Sequence, residues 1–172
     1  MSAADFLKKC RIPCLYHFTD QANLPLIKKH GGLYSLRLLR SKGIKVPRPG
    51  GNDWSWEADE RKRLDTYVHL SFGDDHPMRY VAEKEGRIGP VTVLKIDVAA
   101  LSLPGILCTD AVSNKSGVEP FGLGDAHARI DFQVLTEWTD WKDSAVLARR
   151  TKAMKAEVLI PDHVPLKLLS GL

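Results

Sequence analysis

Short segments in which hydrophobic and polar residues alternate predict several β-strands along the chain. The pattern is clearest at residues 91–97 (VTVLKID) and recurs at residues 67–72 (YVHLSF). Residues 14–18 (CLYHF) and 156–160 (AEVLI) are rich in the aromatic and branched side chains that strands favour, and residues 105–109 form a weaker candidate. The strands are short and widely spaced, as in a domain that mixes them with helices.

A helical period follows the first of these strands. Thr19 or Asp20 is placed to cap a helix over residues 21–30, because a short oxygen-bearing side chain there can accept a hydrogen bond from the first turn. Gly31 then provides a residue that tolerates positive φ where the helix stops. This strand and helix form the predicted start of the fold.

Further helices are predicted at residues 141–154 and after Asp74 or Asp75, and residues 59–63 read as the end of a short one. Between them, residues 41–54 are rich in proline and glycine and are predicted to form a long loop. Because strands and helices do not alternate regularly, the expected fold class is α+β, as a single domain over residues 1–172.

Composition narrows the class of protein. The chain has 172 residues, 44% of them hydrophobic and 27% charged, so it can bury a core without disulfides or a structural metal. Its three cysteines form no disulfide framework and no zinc pattern, so no metal is expected. Residues 1–9 lack the apolar run of a signal peptide, and no stretch is apolar enough to span a membrane, so a cytoplasmic location without membrane contact is expected.

Candidate chemistry rests first on Glu157, a carboxylate flanked by apolar residues in a strand. Burial of an unpaired charge is costly, so this group is either paired at a cleft or exposed on an edge strand. His17, in the first strand, is either a hydrogen-bonded core residue or a ligand-binding one, and the Arg61 cluster is either a solvated helix face or part of a site. The common glycine-rich phosphate loops and hydrolase motifs do not occur in the sequence.

Several segments together resemble the DarT family of bacterial ADP-ribosyltransferases, the toxin half of the DarT–DarG toxin–antitoxin pairs. They are LYHFTDQANLPLI, DERKRLDTYVHLSFGDDHPMRY, LCTDAVSN and KAEVLIPDHVPLKLL, which follow one another in family order over nearly the whole chain. The resemblance implies an ADP-ribosyltransferase fold, in which two packed sheets with surrounding helices hold NAD in a cleft, and it implies pentosyl transfer from NAD without a metal.

The resemblance also implies residues for NAD. His17 matches the histidine that binds the ribose and nicotinamide end, with Thr19 and Asn23 close by. Met78 and Tyr80 match the segment that lines the nicotinamide pocket.

Catalytic roles are implied for two further residues. Glu157 matches the catalytic glutamate on a late strand, and Arg61 is chosen as the catalytic arginine, with Arg63 in reserve. Ser71 stands where many relatives carry a tyrosine, so the residues at the nicotinamide become His17, Ser71 and Glu157.

The expected acceptor is a base in single-stranded DNA, modified as the act of a toxin. The net charge of +4 permits an anionic partner. Arg48 and Arg63 are expected to contact the phosphates, and Trp54 and Trp56 are expected to stack on unpaired bases. RNA or protein as acceptor, or an inactive relative that only binds a nucleotide, remain alternatives. The resemblance further implies a macrodomain-type antitoxin that reverses the modification.

Overall fold

A seven-stranded antiparallel sheet organises the molecule in the computed structural model, which describes residue 6 and residues 9–172. The strand order is β6-β5-β7-β3-β1-β4-β9, and β2 and β8 form a separate antiparallel pair. The strands are β1 Leu15–Asp20, β2 Gly32–Tyr34, β3 Tyr67–Ser71, β4 Val91–Ile96, β5 Leu107–Thr109, β6 Phe121–Gly122, β7 Glu157–Pro161, β8 His163–Pro165 and β9 Leu169–Ser170. The expected α+β fold is confirmed, and its two sheets are one large antiparallel sheet and one small two-stranded sheet.

Helices surround the sheet and fill the connections between its strands. They are α1 Leu24–His30, α2 Leu36–Ser41, α3 Asp53–Arg61, α4 Pro77–Lys84, α5 Leu123–Arg129, α6 Gln133–Thr136 and α7 Ser144–Ala153. Most of residues 1–9, where no signal peptide is expected, lie outside the described part of the chain.

The large sheet is split between β1 and β3. These neighbours share a single residue pair, Tyr16 with Ser71, whereas β1 and β4 share six pairs and β3 and β7 share five. The sheet therefore consists of two well-paired parts, β6-β5-β7-β3 and β1-β4-β9, that diverge from one contact point. A cleft opens where they diverge.

Alternation along β1 and β4 places the core on one side of their part of the sheet, whereas β7 is buried on both faces. Leu15, Leu94 and Ile96 are fully buried in the part around β1, as are Val158 and Ile160 in the part around β7. Burial of each such side chain contributes about 1.5–3 kcal/mol, so the two parts are fixed firmly against the helices. The site residues project from this rigid frame.

Capping decides where two helical segments begin. The Asp20 carboxylate accepts a hydrogen bond from the Ala22 amide (2.8 Å), so Asp20 rather than Thr19 caps the first one. The cap expected from Asp74 or Asp75 was wrong, because His76 Nδ1 accepts from the Met78 amide (3.3 Å) at the start of α4. The Asp75 carboxylate instead accepts a hydrogen bond from the Tyr80 hydroxyl (2.6 Å).

The long loop expected at residues 41–54 lies between α2 and α3 and is tied down along its length. Asn23 donates to the Arg48 carbonyl oxygen (2.7 Å) and accepts from the Arg48 amide (3.0 Å). The Arg48 guanidinium lies 3.6 Å from the buried Asp20 carboxylate and donates to the Gly86 carbonyl oxygen (3.1 Å). These contacts hold the loop at the rim of the cleft.

Candidate active site

The cleft at the split has a volume of about 790 Å³, within the range of small-molecule sites. Its walls come from β1, β3, α3 and the loop that precedes α3, and Glu157 lies among its lining residues. Apolar side chains such as Leu39, Ile44 and Val46 cover much of one wall. A cleft of this size, with apolar walls and several charged groups, suits a polar small molecule.

Glu157 is the first residue of β7 and is only 6% exposed. Its Oε2 accepts a hydrogen bond from the Ser113 amide (3.1 Å) and lies 3.5 Å from His69 Nδ1, while Oε1 lies 3.5 Å from His76 Nε2. Burial raises the pKa of Glu157, but hydrogen bonding and attraction from the two imidazoles lower the pKa by a larger amount. The net pKa therefore lies below its ordinary value. The strand therefore presents an ionised carboxylate to the cleft.

His69, on β3, is the main partner of that carboxylate. Burial alone would lower its pKa, but the hydrogen bond and charge of Glu157, together with the charge of Asp59, raise the pKa to about 9. His69 Nε2 lies 3.1 Å from the Leu64 carbonyl oxygen, and Ser113 Oγ lies 3.2 Å from Nδ1. The imidazole is thus bound on both sides as a cation at neutral pH.

Asp59 extends the charged cluster from α3. Burial raises the pKa of its carboxyl to about 6, against the opposing effect of the nearby His69 cation. Within the part of the chain that the structure describes, its Oδ1 makes no hydrogen bond. Sequence reasoning missed His69, His76, Ser113 and Asp59. The only signal for them in the sequence was His69 within YVHLSF, which strand alternation places on the same face as Ser71.

His17 lines the opposite wall, on β1. Its Nδ1 donates to the His69 carbonyl oxygen (3.1 Å), which leaves Nε2 as the nitrogen with a lone pair. Burial lowers the pKa of His17, so the ring is neutral and can accept a hydrogen bond from a hydroxyl group. Thr19 and Asn23 also line the cleft, where Asn23 donates to Thr19 Oγ1 (3.1 Å).

Ser71 and Met78 line the cleft as well, but Tyr80 does not. Ser71 is 7% exposed, and its hydroxyl donates to the Gly73 carbonyl oxygen (2.7 Å). Tyr80 is 54% exposed. The structure brings together the expected His17, Ser71, Met78 and Glu157 and leaves Tyr80 outside.

The predicted arginines lie away from the cleft. Arg61 is exposed at the end of α3 and lies 3.9 Å from Glu57, and neither Arg61 nor Arg63 lines the cleft. Arg48 is held against Asp20 behind the loop. Arg40, at the end of α2, does line the cleft, where it pairs with Glu60 and lies 5.8 Å above the Trp56 ring.

Trp54 and Trp56 are both at the cleft, on α3. Trp54 is 59% exposed, so its ring is available to a ligand. Trp56 packs on the loop, since a Cβ at Gly51 would lie 2.4 Å from Trp56 Nε1. The two rings differ in role, because Trp56 shapes the cleft whereas Trp54 faces its mouth.

Lys62, which follows α3, fixes the loop that supplies Ser113. Its ammonium donates to the carbonyl oxygens of Ser113 (2.7 Å), Lys115 (2.8 Å) and Val118 (2.5 Å). Three acceptors match the three N–H groups of the ammonium. These three bonds hold the loop in the position where the Ser113 amide donates to Glu157.

Lys62→Met is expected to release this loop. With the three carbonyls unpaired, the Ser113 amide should exchange faster with solvent, and kcat for ADP-ribose transfer should fall by about tenfold, the equivalent of roughly one lost hydrogen bond to a charged group. Amide hydrogen exchange and steady-state kinetics measure the two effects. Lys115→Met is the matched control, because that exposed side chain makes none of the three bonds. Equal effects in both variants would contradict the role of Lys62 in holding this loop.

Glu157 and His17 thus lie in one cleft, at the split of the sheet. The family model "ssDNA thymidine ADP-ribosyltransferase, DarT" matches residues 16–172. The chain belongs to the DarT family, which confirms the resemblance read from the sequence. No curated protein matches the chain.

Solved structures agree with this assignment at the level of the fold. Thermus sp. 2.9 DarT in complex with ADP-ribosylated ssDNA is similar with a TM-score of 0.69 and 21% identity, over 92% of this chain and 79% of that one. Thermosipho africanus DarTG in complex with ADP-ribose gives a TM-score of 0.69 and 20% identity, over 91% of this chain. The chain spans 42% of the length of that DarTG protein.

Two kinds of feature are absent from the part of the chain that the structure describes. Residue 6 and residues 9–172 contain no group of three or more histidine, cysteine or carboxylate side chains arranged to hold a metal ion. Within the same part of the chain, no helix has the length and apolar character needed to cross a membrane.

Proposed function

We propose that this chain transfers ADP-ribose from NAD to thymidine in single-stranded DNA, with Glu157 as the catalytic carboxylate. The observation that carries the proposal is the ionised, buried Glu157 at the split of the sheet, in a chain of the DarT family. The family description supplies the acceptor that the sequence alone left open.

Glu157 serves the reaction by its charge and by its basicity. Breaking the bond between nicotinamide and ribose builds positive charge on the ribose, and a fixed carboxylate in a site with little water stabilises that charge. The same carboxylate can take the proton that the attacking base gives up. Since the cleft already holds Glu157 ionised, no reorganisation is needed when the bond breaks.

NAD fits the remaining polar groups of the cleft. The lone pair on His17 Nε2 suits a ribose hydroxyl, and Met78 and the backbone around Ser71 offer a surface for the nicotinamide ring. Thermus sp. 2.9 DarT has been solved in complex with NAD+ and with carba-NAD+, at TM-scores of 0.58 and 0.59. These similarities support NAD as the co-substrate.

Arg40 is a better candidate than Arg61 or Arg63 for contact with a ligand. It lines the cleft beside Trp56, whereas Arg61 and Arg63 would have to turn inward from the end of α3. A rigid guanidinium suits a pyrophosphate or a DNA phosphate. A catalytic role for Arg61 stays a prediction that a comparison of Arg61→Ala with Arg40→Ala would decide.

The wider role proposed is that of a toxin acting on DNA in the cytoplasm, opposed by a macrodomain-type antitoxin. The similarity to Thermosipho africanus DarTG, a chain more than twice as long, supports such a partner. The antitoxin would remove the ADP-ribose that this enzyme attaches.

Labelled NAD, offered with separate acceptors, tests the function. Single-stranded DNA that contains thymidine should become labelled, whereas a strand of the same length without thymidine and a duplex should not. Labelled RNA or protein would favour the alternative acceptors. Binding of NAD without transfer to any acceptor would indicate an inactive relative.

Trp54→Ala is expected to weaken binding of single-stranded DNA without unfolding the protein. Loss of one stacked base costs about 1–3 kcal/mol, and binding should still fall with salt by a log–log slope of about −0.7 per phosphate neutralised. Fluorescence anisotropy with a labelled oligonucleotide measures both. Trp138→Ala is the control, because Trp138 is 88% exposed and lies outside the cleft. Equal losses in the two variants would argue against a specific contact.

A further inference from the structure

The carboxylate of Glu157 lies between two histidines, one at each oxygen. His69 Nδ1 is 3.5 Å from Oε2, and His76 Nε2 is 3.5 Å from Oε1. Glu157 and His76 are almost fully buried, at 6% and 5% exposure. The contacts made by the other nitrogen of each ring determine which nitrogens of His69 and His76 carry protons.

The helix cap fixes the tautomer of His76. Its Nδ1 accepts from the Met78 amide (3.3 Å), so this nitrogen carries a lone pair and the proton of the neutral ring is on Nε2. Within the described residues Nε2 makes no hydrogen bond of regular geometry, and Oε1 of Glu157, 3.5 Å away, is the charged atom beside it. His76 therefore directs a neutral N–H group at Oε1 of Glu157.

A backbone carbonyl fixes one proton of His69. A carbonyl oxygen only accepts, so Nε2, 3.1 Å from the Leu64 oxygen, must carry a proton. Nδ1 then has a proton only in the imidazolium form. A neutral ring could accept at Nδ1 from the Ser113 hydroxyl, 3.2 Å away, but its lone pair would also face the carboxylate oxygen at 3.5 Å, which is repulsive.

We propose that His69 and His76 are positioning residues for Glu157, with His69 holding Oε2 as an imidazolium and His76 presenting a neutral N–H to Oε1. This inference rests on the proposed function of Glu157. The Ser113 amide and the two rings contact both oxygens of the carboxylate and so fix its orientation. They also keep it charged in spite of its burial.

The charged and titratable groups around His69 favour its cationic form. Glu157 faces it from β7 and Asp59 from α3, with Asp65 contributing to the same acidic cluster, whereas the neighbouring rings of His17 and His76 have pKa values lowered by burial. The pKa of His69 is raised to about 9 as a result. Transfer should therefore be fast between the pKa of Glu157 and about pH 9, and slower on both sides.

His69→Asn and His76→Asn test the proposal through the pH dependence of kcat. Asparagine at position 69 keeps a neutral donor near Nδ1 but removes the charge, so the alkaline decline should disappear and the acid limb should move up by about one to three pH units. Asparagine at position 76 keeps an oxygen to cap α4 and removes the Nε2 proton, so kcat should fall by about 10- to 100-fold with little change in KM for NAD. His127→Asn, an exposed site on α5, is the control.

NMR of ¹⁵N-labelled histidines makes the test independent of turnover. At pH 7.5 His69 should carry protons on both nitrogens and His76 on Nε2 alone, and Glu157→Gln should return His69 to the neutral form. A neutral His69, a proton on Nδ1 of His76, or an unchanged pH profile in His69→Asn would overturn the proposal. If the protein modifies no DNA but the NMR result holds, the proposed function fails while the arrangement of the histidines stands.

Discussion

Replacing Glu157 by glutamine is expected to lower the rate of ADP-ribose transfer by about 10²–10³-fold or more while the protein stays folded. The change keeps the size of the side chain and removes its charge, so the positive charge that develops on the ribose is no longer stabilised. Rates with labelled NAD and single-stranded DNA, together with circular dichroism, measure the two parts of this result.

The fold should tolerate this change because His69 can lose its proton. Its raised pKa depends on Glu157, so in the glutamine variant the ring becomes neutral and no buried cation is left unpaired. Glu119→Gln, an exposed glutamate outside the cleft, is the control for a general effect of charge. A glutamine variant that modifies DNA at the wild-type rate would remove Glu157 from the mechanism.

Gly32→Ala is expected to destabilise the protein by on the order of 3 kcal/mol, since it combines backbone strain with a steric clash. Gly32 opens β2 with φ of +143°, and a Cβ there would lie 2.1 Å from the Val164 carbonyl oxygen and 3.0 Å from the Leu166 amide. Both are backbone atoms of the β8 segment and cannot move aside cheaply. Thermal unfolding should show a fall in Tm of roughly 6–12 °C.

Gly31→Ala separates the strain from the clash. Gly31 ends α1 with φ of +79°, but a Cβ there meets nothing within 4 Å. Alanine at this position should therefore cost about 1 kcal/mol, the ordinary penalty for a left-handed residue. Equal losses at positions 31 and 32 would mean that the contact with β8 adds nothing.

Alternation in the sequence predicted the strands that matter most for the site. β1, β3, β4 and β7 all lie within one or two residues of their predicted bounds, because each is long enough to show its period and has a buried face. β2, β6, β8 and β9 escaped prediction, since two or three residues contain no period. Their pairing depends on contacts across the chain.

The site was predicted in part. His17 and Glu157 stood out as polar residues within apolar strands, and the resemblance to the DarT family gave them their expected roles, which stay predictions. His76 did not stand out, because its position follows from a helix cap that the sequence assigned to a neighbouring aspartate. Arg61 was chosen by position along the chain, but the turn of α3 directs Asp59 rather than Arg61 to the cleft. The direction of a helical side chain depends on how the helix packs.

The split sheet interleaves early and late parts of the chain, since β1 lies between β3 and β4 and β7 lies between β5 and β3. Neither part of the sheet is a continuous stretch of sequence, so neither can fold alone. Distant segments lose the entropy of loop closure before their contacts form and stabilise them. This order of events slows folding toward the millisecond-to-second range. The cleft is completed only when both parts have formed, so an incompletely folded molecule has Glu157 but no assembled site around it.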